Sequence, residues 1–230
     1  MGKNIAIDGP SGAGKSTISK EIASRLGYIY VDTGALYRSI GWYTLQKGLD
    51  PADSEQVIPL LKEITPELCY MNGSQHVLVN GEDVSEKIRL PQVSMAASAV
   101  SAIPEVRAFL FDLQLKIARE NNVIMDGRDI GTVVLPHADV KIFLTASPED
   151  RAQRRWEELQ SKGTAVSYHE VLTDIIQRDY QDTHRDIAPL KKAADAILVD
   201  TTGFLRNQSV EKITKIILEK LKEVPSCTQY

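Results

Sequence analysis

A short glycine-rich segment near the N-terminus constrains the fold of this chain more than any other feature of its sequence. Residues 9–16 read G-P-S-G-A-G-K-S, which satisfies the G-x-x-x-x-G-K-[ST] pattern of a phosphate-binding loop. A strand-like apolar run, Asn4–Asp8, comes directly before this loop, and Lys15–Leu26 has the apolar spacing of a helix directly after it. A strand, this loop and a helix in that order predict an α/β domain that binds a nucleotide.

The residue types of the loop explain how it would bind phosphate. Its glycines let consecutive backbone N–H groups converge on phosphate oxygens, and the helix N-terminus adds a partial positive charge. We expect Lys15 to bridge the β- and γ-phosphates of ATP and Ser16 to give its hydroxyl to Mg²⁺. The alternative is a glycine-rich turn with a solvated lysine. The residues expected to contact ATP are Gly9, Pro10, Ser11, Gly12, Ala13, Gly14, Lys15, Ser16 and Thr17.

Strands and helices alternate along most of the remaining chain. Further strands are expected at Tyr28–Val31, Val123–Asp126, Val140–Leu144 and Ala196–Val199, and further helices at Leu36–Gln46, Pro148–Lys162, Tyr168–Thr183 and, after the last strand, up to Leu221. The alternation predicts a P-loop nucleoside triphosphatase (NTPase) fold, in which helices cover both faces of a parallel sheet. We assign residues 1–230 to a single domain and expect a frayed tail after Val224.

The pattern changes between residues 48 and 90, where three prolines interrupt the sequence. A short helical stretch there is followed by two β-like runs, Glu67–Met71 and Gln75–Val79, which Asn72-Gly73 would join as a hairpin. We interpret residues 48–90 as a subdomain inserted into the α/β domain. A long helix is expected after it, because one apolar stripe contains Val106, Phe109, Leu110, Leu113 and Ile117.

The composition fits one globular domain and argues against several classes of function. Of 230 residues, 43% are hydrophobic and 25% are charged, and the net charge is −4, so no overall basic field favours nucleic acid or an anionic membrane. An anionic ligand must therefore meet a locally basic pocket. We find neither a signal-peptide pattern nor an apolar run of transmembrane length, and expect a cytoplasmic protein. The two cysteines and four histidines lack ligand spacing and indicate neither a disulfide framework nor a zinc site.

Three polar clusters lie where the carboxyl ends of strands would gather them at one edge of the sheet. They read D-T-G-A-L-Y-R at Asp32–Arg38, D-G-R-D-I-G-T-V at Asp126–Val133 and R-D-Y-Q-D-T-H-R at Arg178–Arg185. In their order these clusters resemble the motifs of bacterial cytidylate kinases, and the resemblance extends over nearly all of the chain. It implies a monomeric kinase of pyrimidine nucleotide metabolism that transfers the γ-phosphoryl group of ATP to CMP or dCMP.

The resemblance also implies roles for segments and for individual residues. The insertion at 48–90 would bind the monophosphate, and residues 151–185 would form a lid and the helices that contact the acceptor. Contacts with the acceptor phosphate or the transferring phosphoryl group fall to Arg38, Arg128 and Arg185, base contacts to Thr33, Ser98, Arg107 and Asp129, and ribose contacts to Arg178 and Asp182. The alternative for each phosphate-binding arginine is a helix cap or an ion pair with a nearby carboxylate, such as Asp129 or Asp182.

The residues assigned to the base suit cytosine. Cytosine presents an amino donor at N4 and acceptors at N3 and O2, which the Asp129 carboxylate and the Arg107 guanidinium complement. Uracil reverses the polarity at N3 and C4 and would leave buried groups unpaired. The family usually has serine where this chain has Thr33. Ser98 lies in a small-residue stretch, Ala96–Ala99, that close helix packing would explain equally well.

Two further features are each open to two interpretations. Arg151, Arg154 and Arg155 share one helix face. By the resemblance they belong to a lid over ATP, for which we choose Arg151 and Arg155, whereas the alternative is a solvated helix with Arg154 near Glu158. Asp126 ends a strand, and it either orders the waters of Mg²⁺ or orients Arg128 and Lys15. The residues taken as catalytic are Lys15, Asp126, Arg128 and Arg185.

Two other functions remain open from the sequence. The first is a P-loop kinase for another small acceptor such as UMP, AMP or shikimate, against which the long insertion and the Arg107–Asp129 pair argue. The second is a nucleotide-dependent switch, but the guanine-reading N-K-x-D motif is absent from the sequence. A simple switch also does not require the several arginines that we expect to contact an acceptor. We therefore expect direct in-line phosphoryl transfer without a covalent intermediate.

Overall fold

The computed structural model describes residues 2–71 and 74–223 of the chain. The strands are β1 (Asn4–Asp8), β2 (Ile29–Asp32), β3 (Pro66–Met71), β4 (Ser74–Val79), β5 (Glu82–Asp83), β6 (Val123–Gly127), β7 (Val140–Thr145) and β8 (Ile197–Asp200). The helices are α1 (Lys15–Leu26), α2 (Thr33–Gln46), α3 (Ser54–Leu60), α4 (Pro91–Val100), α5 (Pro104–Glu120), α6 (Pro148–Ser161), α7 (Tyr168–His184) and α8 (Arg206–Glu223). A 3₁₀ turn covers Lys87–Arg89, and a π-helical turn covers Ile130–Val134.

A five-stranded parallel sheet forms the centre of the fold, in the order β2-β6-β1-β7-β8. Central strand β1 buries Ile5 and Ile7 against α1 and α8 on one face, and Ala6 packs in a cluster with α5 on the other. The predicted α/β fold with helices on both faces is therefore confirmed. Because all five strands run in the same direction, their carboxyl ends share one edge, and the phosphate-binding loop leaves the middle of that edge.

The segment between residues 48 and 90 contains a second, antiparallel sheet in the order β3-β4-β5. The predicted pairing of its first two strands is confirmed, with Leu68 opposite Val77, whereas β5 was not predicted. Apolar side chains of this segment share one buried cluster with side chains of α2 and α5, such as Leu36 and Val106. The predicted turn residues Asn72 and Gly73, and the predicted tail after Val224, lie outside the described residues.

The hairpin of β3 and β4 also contacts the edge of the main sheet. The Tyr70 hydroxyl donates to the carbonyl oxygen of Tyr30 at 2.7 Å, and the Asp32 N–H donates to Oε1 of Gln75 at 3.0 Å. Strand β2 is an edge strand of the main sheet, so its backbone has no neighbouring strand on its outer side. The hairpin supplies partners there for the Tyr30 carbonyl oxygen and the Asp32 N–H group. These contacts tie the inserted segment to the strand that leads into α2.

Some element boundaries differ from those expected from the sequence. Helix α2 extends from Thr33, within the Asp32–Gly34 segment expected as a turn and helix start, because the Asp32 carboxylate caps it by accepting a hydrogen bond from the Ala35 N–H at 3.0 Å. Strands β2 and β8 each begin and end one residue later than predicted. Helix α6 ends at Ser161 and α7 at His184, again one residue from prediction. The π-helical turn after β6 was not predicted.

Among the described residues, no single helix is both long enough and apolar enough to cross a membrane. Helices α4 and α5 reach the required length and composition only when they are taken together, and they meet at a bend of 99°.

Candidate active site

A cleft of about 830 Å³ opens at the carboxyl edge of the five-stranded sheet. The phosphate-binding loop, the start of α2, the segment after β6, and helices α4, α6 and α7 all contribute to its walls. Every residue that the sequence assigned to ATP or to the acceptor lines this cleft, with the exception of Gly9, Pro10 and Ala13, which are buried. The fold thus brings the three polar clusters and the loop together.

The phosphate-binding loop is shaped by glycines and by Lys15. An added Cβ at Gly9 would lie 1.9 Å from the carbonyl oxygen of Leu144, so no side chain fits there. Gly14 precedes α1 with a φ of 87°, in the left-handed region that glycine adopts readily. The Lys15 ammonium group donates to the carbonyl oxygens of Gly9 and Pro10, each at 2.7 Å. Burial lowers the pKa of Lys15.

Asp126, at the end of β6, lies beside this loop. Its Oδ2 accepts a hydrogen bond from the Tyr30 hydroxyl at 3.3 Å, and its backbone carbonyl accepts one from the Thr33 hydroxyl at 2.7 Å. Burial, together with the nearby Asp32 charge, raises the pKa of Asp126, and the Lys15 charge opposes that rise. A nearby positive charge therefore stabilises the ionised carboxylate. Ordering of the Mg²⁺ waters and orientation of Arg128 and Lys15 both stay predictions for Asp126.

The Asp129 carboxylate lies between two arginines. Nη2 of Arg107 pairs with one carboxylate oxygen, and Nη2 of Arg185 lies 3.6 Å from the other. Arg107 also donates to the carbonyl oxygen of Ser101 at 3.3 Å, and its guanidinium carbon lies 5.6 Å from the ring centroid of Tyr37. Burial raises the pKa of Asp129, and the arginines oppose the rise. The two residues assigned to the cytosine edge are thus in direct contact.

The buried Asp182 and the part-buried Arg128 form a second pair. Nε of Arg128 lies 2.7 Å from Oδ2 of Asp182, and the Ser98 hydroxyl donates to Oδ1 at 3.3 Å. Burial by itself raises the pKa of Asp182, but the charge and hydrogen bond of Arg128, together with the charges of Arg178 and Arg185, outweigh it, so the pKa lies below its usual value. The ion-pair alternative that the sequence left open therefore describes the contacts of Arg128, and of Arg185 with Asp129, in this structure.

Two other arginines keep a donor without a partner among the described residues. Nη2 of Arg38 pairs with Asp32 at 2.6 Å, and Nη1 of Arg178 donates to the Ser11 hydroxyl at 2.8 Å. The Nε of each guanidinium is buried and makes no hydrogen bond within the described residues. Burial, and then the nearby Arg128 charge, lower the pKa of Arg178 to about 10. Because unpaired buried donors are costly, these two Nε groups point to an anionic ligand.

Comparisons with known proteins agree with this geometry. The family model described as cytidylate kinase matches residues 5–221. The chain belongs to the cytidylate kinase family. It is 49% identical to the cytidylate kinase of Caldicellulosiruptor bescii, over 95% of this chain and 97% of that one. Identity to the cytidylate kinase of Caldicellulosiruptor saccharolyticus is 51%, over 96% of each.

The fold also has a counterpart among solved structures. An uncharacterized protein from Eubacterium ventriosum superimposes with a TM-score of 0.52, covering 94% of this chain and 98% of that one. At 12% sequence identity, the likeness concerns the fold alone.

The Thr33 and Ser98 side chains, which the family resemblance assigned to the base, differ in their surroundings. Thr33 is buried, and its hydroxyl proton is committed to the Asp126 carbonyl oxygen. Ser98 lies in a closely packed stretch, as one interpretation of the sequence expected, and its contact with the base stays a prediction. Its neighbours pack closely, since an added Cβ on Gly41 of α2 would lie 2.9 Å from the Ala97 nitrogen, while its own hydroxyl reaches Asp182.

The arginines of α6 are held by protein groups. Arg151 is only 3% exposed, pairs with Asp179 at 2.6 Å and donates to the carbonyl oxygen of Ser11 at 2.8 Å. It therefore ties α6 and α7 to the phosphate-binding loop, and direct contact with ATP stays a prediction. Arg155 pairs with Glu158 at 2.8 Å, in an exposed helix pair. A contact between Arg155 and ATP likewise stays a prediction.

Some residues of the cleft were missed in the sequence. Phe204 and Leu205, in the connection between β8 and α8, and Arg206, the first residue of α8, also line the cleft. They belong to no recognisable motif. Their position directly after the carboxyl end of the last strand is the signal that would have found them.

The site suits Mg²⁺ bound mainly through phosphate oxygens and water. Among the described residues, no cluster of three or more His, Cys, Asp or Glu side chains could hold a metal on its own. The Ser16 hydroxyl and the Asp126 carboxylate both line the cleft, and the raised pKa of Asp126 indicates a carboxylate that a cation would stabilise. A site with few protein ligands fits Mg²⁺, which retains several of its waters.

We predict that Asp182→Asn destabilises the fold, because the substitution leaves the Arg128 charge without its partner. The free energy of unfolding should fall by roughly 2 to 3 kcal/mol, measured by urea denaturation. Arg128 keeps 21% of its side chain exposed, which limits the loss. The control Glu158→Gln removes a carboxylate from exposed pairs and should cost about 0.5 kcal/mol or less. Equal stability of the two variants would contradict the prediction.

Proposed function

We propose that this chain transfers the γ-phosphoryl group of ATP to CMP or dCMP, with ADP and CDP or dCDP as products. The observation that carries the proposal is that a phosphate-binding loop around Lys15 and the Arg107–Asp129 pair open into one cleft. Membership of the cytidylate kinase family supports the same reaction. The reaction belongs to pyrimidine nucleotide metabolism.

ATP binds at the loop in this proposal. The backbone N–H groups of the loop and the N-terminus of α1 hold the phosphates, and the Lys15 ammonium group exchanges the carbonyl oxygens of its own loop for phosphate oxygens. We assign the adenine to Phe204 and Leu205, apolar residues that line the cleft. Ser16 and Asp126 are the residues that would hold Mg²⁺, which neutralises phosphate charge when it is bound.

The acceptor phosphate binds among the arginines of the cleft. The unpartnered Nε groups of Arg38 and Arg178 are donors for its oxygens, and a planar guanidinium suits bidentate contact with phosphate. Arg128 and Arg185 line the same cleft, each paired with a carboxylate. In the proposal, both guanidinium groups stabilise the charge that develops on the transferring group. Asp182 contacts the ribose, and Arg178, whose guanidinium has several donors, contacts the ribose as well as the phosphate.

The Arg107–Asp129 pair reads the base. The Asp129 carboxylate accepts from the cytosine N4 amino group, and the Arg107 guanidinium donates to N3 or O2. Uracil presents an acceptor at C4 and a donor at N3, so each protein group would face a group of its own kind. The same contacts serve CMP and dCMP, which carry the same base.

Catalysis in this proposal consists of positioning and charge stabilisation. The acceptor phosphate is already anionic near neutral pH and attacks the γ-phosphorus in line, so no strong general base is required. The arginines and Lys15 hold the two phosphates together and stabilise the negative charge of the transition state. Movement of α6 and α7 over the cleft would exclude water and prevent hydrolysis of ATP.

Among the remaining expectations, several rest on the sequence alone. A monomeric state, a cytoplasmic location and the lack of a nucleic-acid or membrane partner stay predictions, as does the binding of the monophosphate by residues 48–90. The alternative is a P-loop kinase for another small acceptor such as UMP. No contact in the cleft favours a nucleotide-dependent switch.

The proposal predicts which acceptors support ADP formation. With MgATP and each common nucleoside monophosphate in turn, CMP and dCMP should give the highest kcat/KM. The variant Lys15→Ala should lose at least about 100-fold in kcat, because a charge that acts in the transition state is removed. Turnover with another monophosphate but not with CMP or dCMP would overturn the substrate assignment. Full activity of Lys15→Ala would overturn the assignment of the loop.

A second prediction concerns selectivity for the base. Asp129→Asn presents an amide to the base and should lower the ratio of kcat/KM for CMP to that for UMP by about 100-fold, since buried polar groups discriminate strongly when they are mismatched. Asp186→Asn is the matched control, because the exposed Asp186 follows Arg185 directly and does not line the cleft. Its ratio should equal that of the unchanged protein. An unaltered ratio in Asp129→Asn would contradict the assignment of Asp129 to the base.

A further inference from the structure

Asp8 is a buried carboxyl group to which the proposed reaction assigns no role. It is the last residue of β1, directly before Gly9 of the phosphate-binding loop, and it is only 4% exposed. It does not line the cleft. Because a buried carboxylate is unfavourable unless its oxygens accept hydrogen bonds, the contacts of Asp8 indicate what keeps it there.

The two oxygens of Asp8 accept from two successive backbone groups of another segment. Oδ1 accepts from the Ile130 N–H at 2.8 Å, and Oδ2 accepts from the Gly131 N–H at 2.7 Å. These residues begin the π-helical turn Ile130–Val134. The first N–H groups of a helical turn have no carbonyl partner within it and need an acceptor from elsewhere. Asp8 therefore caps a turn that is distant from it in sequence.

The residue that would ordinarily cap this turn is Asp129. It occupies the position directly before the turn, and aspartate there commonly accepts a hydrogen bond from the first backbone N–H groups. Asp129 makes no such bond with its side chain. Its carboxylate is instead directed to Arg107 and Arg185, while its carbonyl oxygen accepts from the Val133 N–H at 2.8 Å.

We propose that Asp8 is a positioning residue for base selectivity. By capping the turn in place of Asp129, it leaves the Asp129 carboxylate free to lie beside Arg107, in the arrangement that the proposed function uses to read cytosine. Without Asp8, the N–H of Gly131 is a competing donor for Asp129, and the carboxylate turns away from the base. The inference rests on the proposed function.

The closeness of Gly131 to Asp8 supports this reading independently. An added Cβ at Gly131 would lie 3.3 Å from Oδ2 of Asp8 and 3.1 Å from Cδ of Lys141. A side chain at this position would therefore push against the carboxylate that caps the turn. The glycine in the D-G-R-D-I-G segment is the residue that lets β1 and the turn approach.

The test is the variant Asp8→Asn, whose amide keeps one acceptor oxygen but turns an NH₂ group toward the second backbone N–H. The KM for CMP should rise about tenfold, and the ratio of kcat/KM for CMP to that for UMP should fall about tenfold, as expected for one lost hydrogen bond. The KM for ATP should change less than about twofold. A merely structural role would lower stability without changing base selectivity.

The matched control is Asp139→Asn. Oδ2 of Asp139 accepts from the N–H of Asn4, the first residue of β1, at 2.7 Å. This variant therefore removes a carboxylate that contacts the opposite end of β1 from Asp8 and does not line the cleft. It should leave both KM values and the CMP to UMP ratio unchanged. If Asp8→Asn does not fold, Gly131→Ala tests the same contact from the other side and should give the same selective loss.

The outcomes separate the two proposals. A preference of the unchanged protein for CMP that Asp8→Asn and Gly131→Ala both retain would overturn the role of Asp8 and leave the proposed function standing. Absence of a CMP preference in the unchanged protein would overturn the base-reading proposal, and the inference about Asp8 with it. Equal losses in Asp139→Asn and Asp8→Asn would also overturn the role of Asp8.

Discussion

The pairing of buried arginines with buried carboxylates is the constraint on which the site depends. Charges removed from water are stable only when opposite charges and hydrogen bonds replace the solvent. Asp129 and Asp182 supply that compensation to Arg107, Arg185 and Arg128. The compensation is incomplete, because the Nε groups of Arg38 and Arg178 find no partner among the described residues. A cleft with this balance is organised to receive an anion.

The parallel sheet explains how residues so distant in sequence meet. All strands present their carboxyl ends at one edge, so the loop after β1 and the segment after β6 are neighbours there. Helix α7 carries Arg178 and Asp182 four residues apart, on one face, and Arg185 follows its last residue directly. The hydrogen bonds that the Asp8 carboxylate accepts from the turn after β6 connect the strand that leads into the phosphate-binding loop with the segment that carries Asp129.

The sequence predicted most of this fold and offered Asp129 and Asp182 as ion-pair partners of the arginines, but it did not indicate which arginine pairs with which carboxylate. The phosphate-binding loop, the alternation of strands and helices and the hairpin of the insertion all depend on local patterns, which a single sequence contains. The contact of Arg107 with Asp129 depends on the fold, which joins positions on different elements. The π-helical turn was missed for the same reason, since its cap comes from β1 and not from the neighbouring residues. The burial of Arg151 was equally invisible, because its partner lies on α7 and only helical spacing within α6 could be seen.

The central claim is that unpartnered arginine donors in this cleft receive the acceptor's phosphate group. The most direct measurement is calorimetric titration of the protein with CMP and, separately, with cytidine, which presents the same base and ribose without the phosphate. Two charge-assisted hydrogen bonds at about 1.5 kcal/mol each predict that CMP binds at least about 100-fold more tightly than cytidine. Dissociation constants for CMP and cytidine that agree within a few-fold would contradict the account.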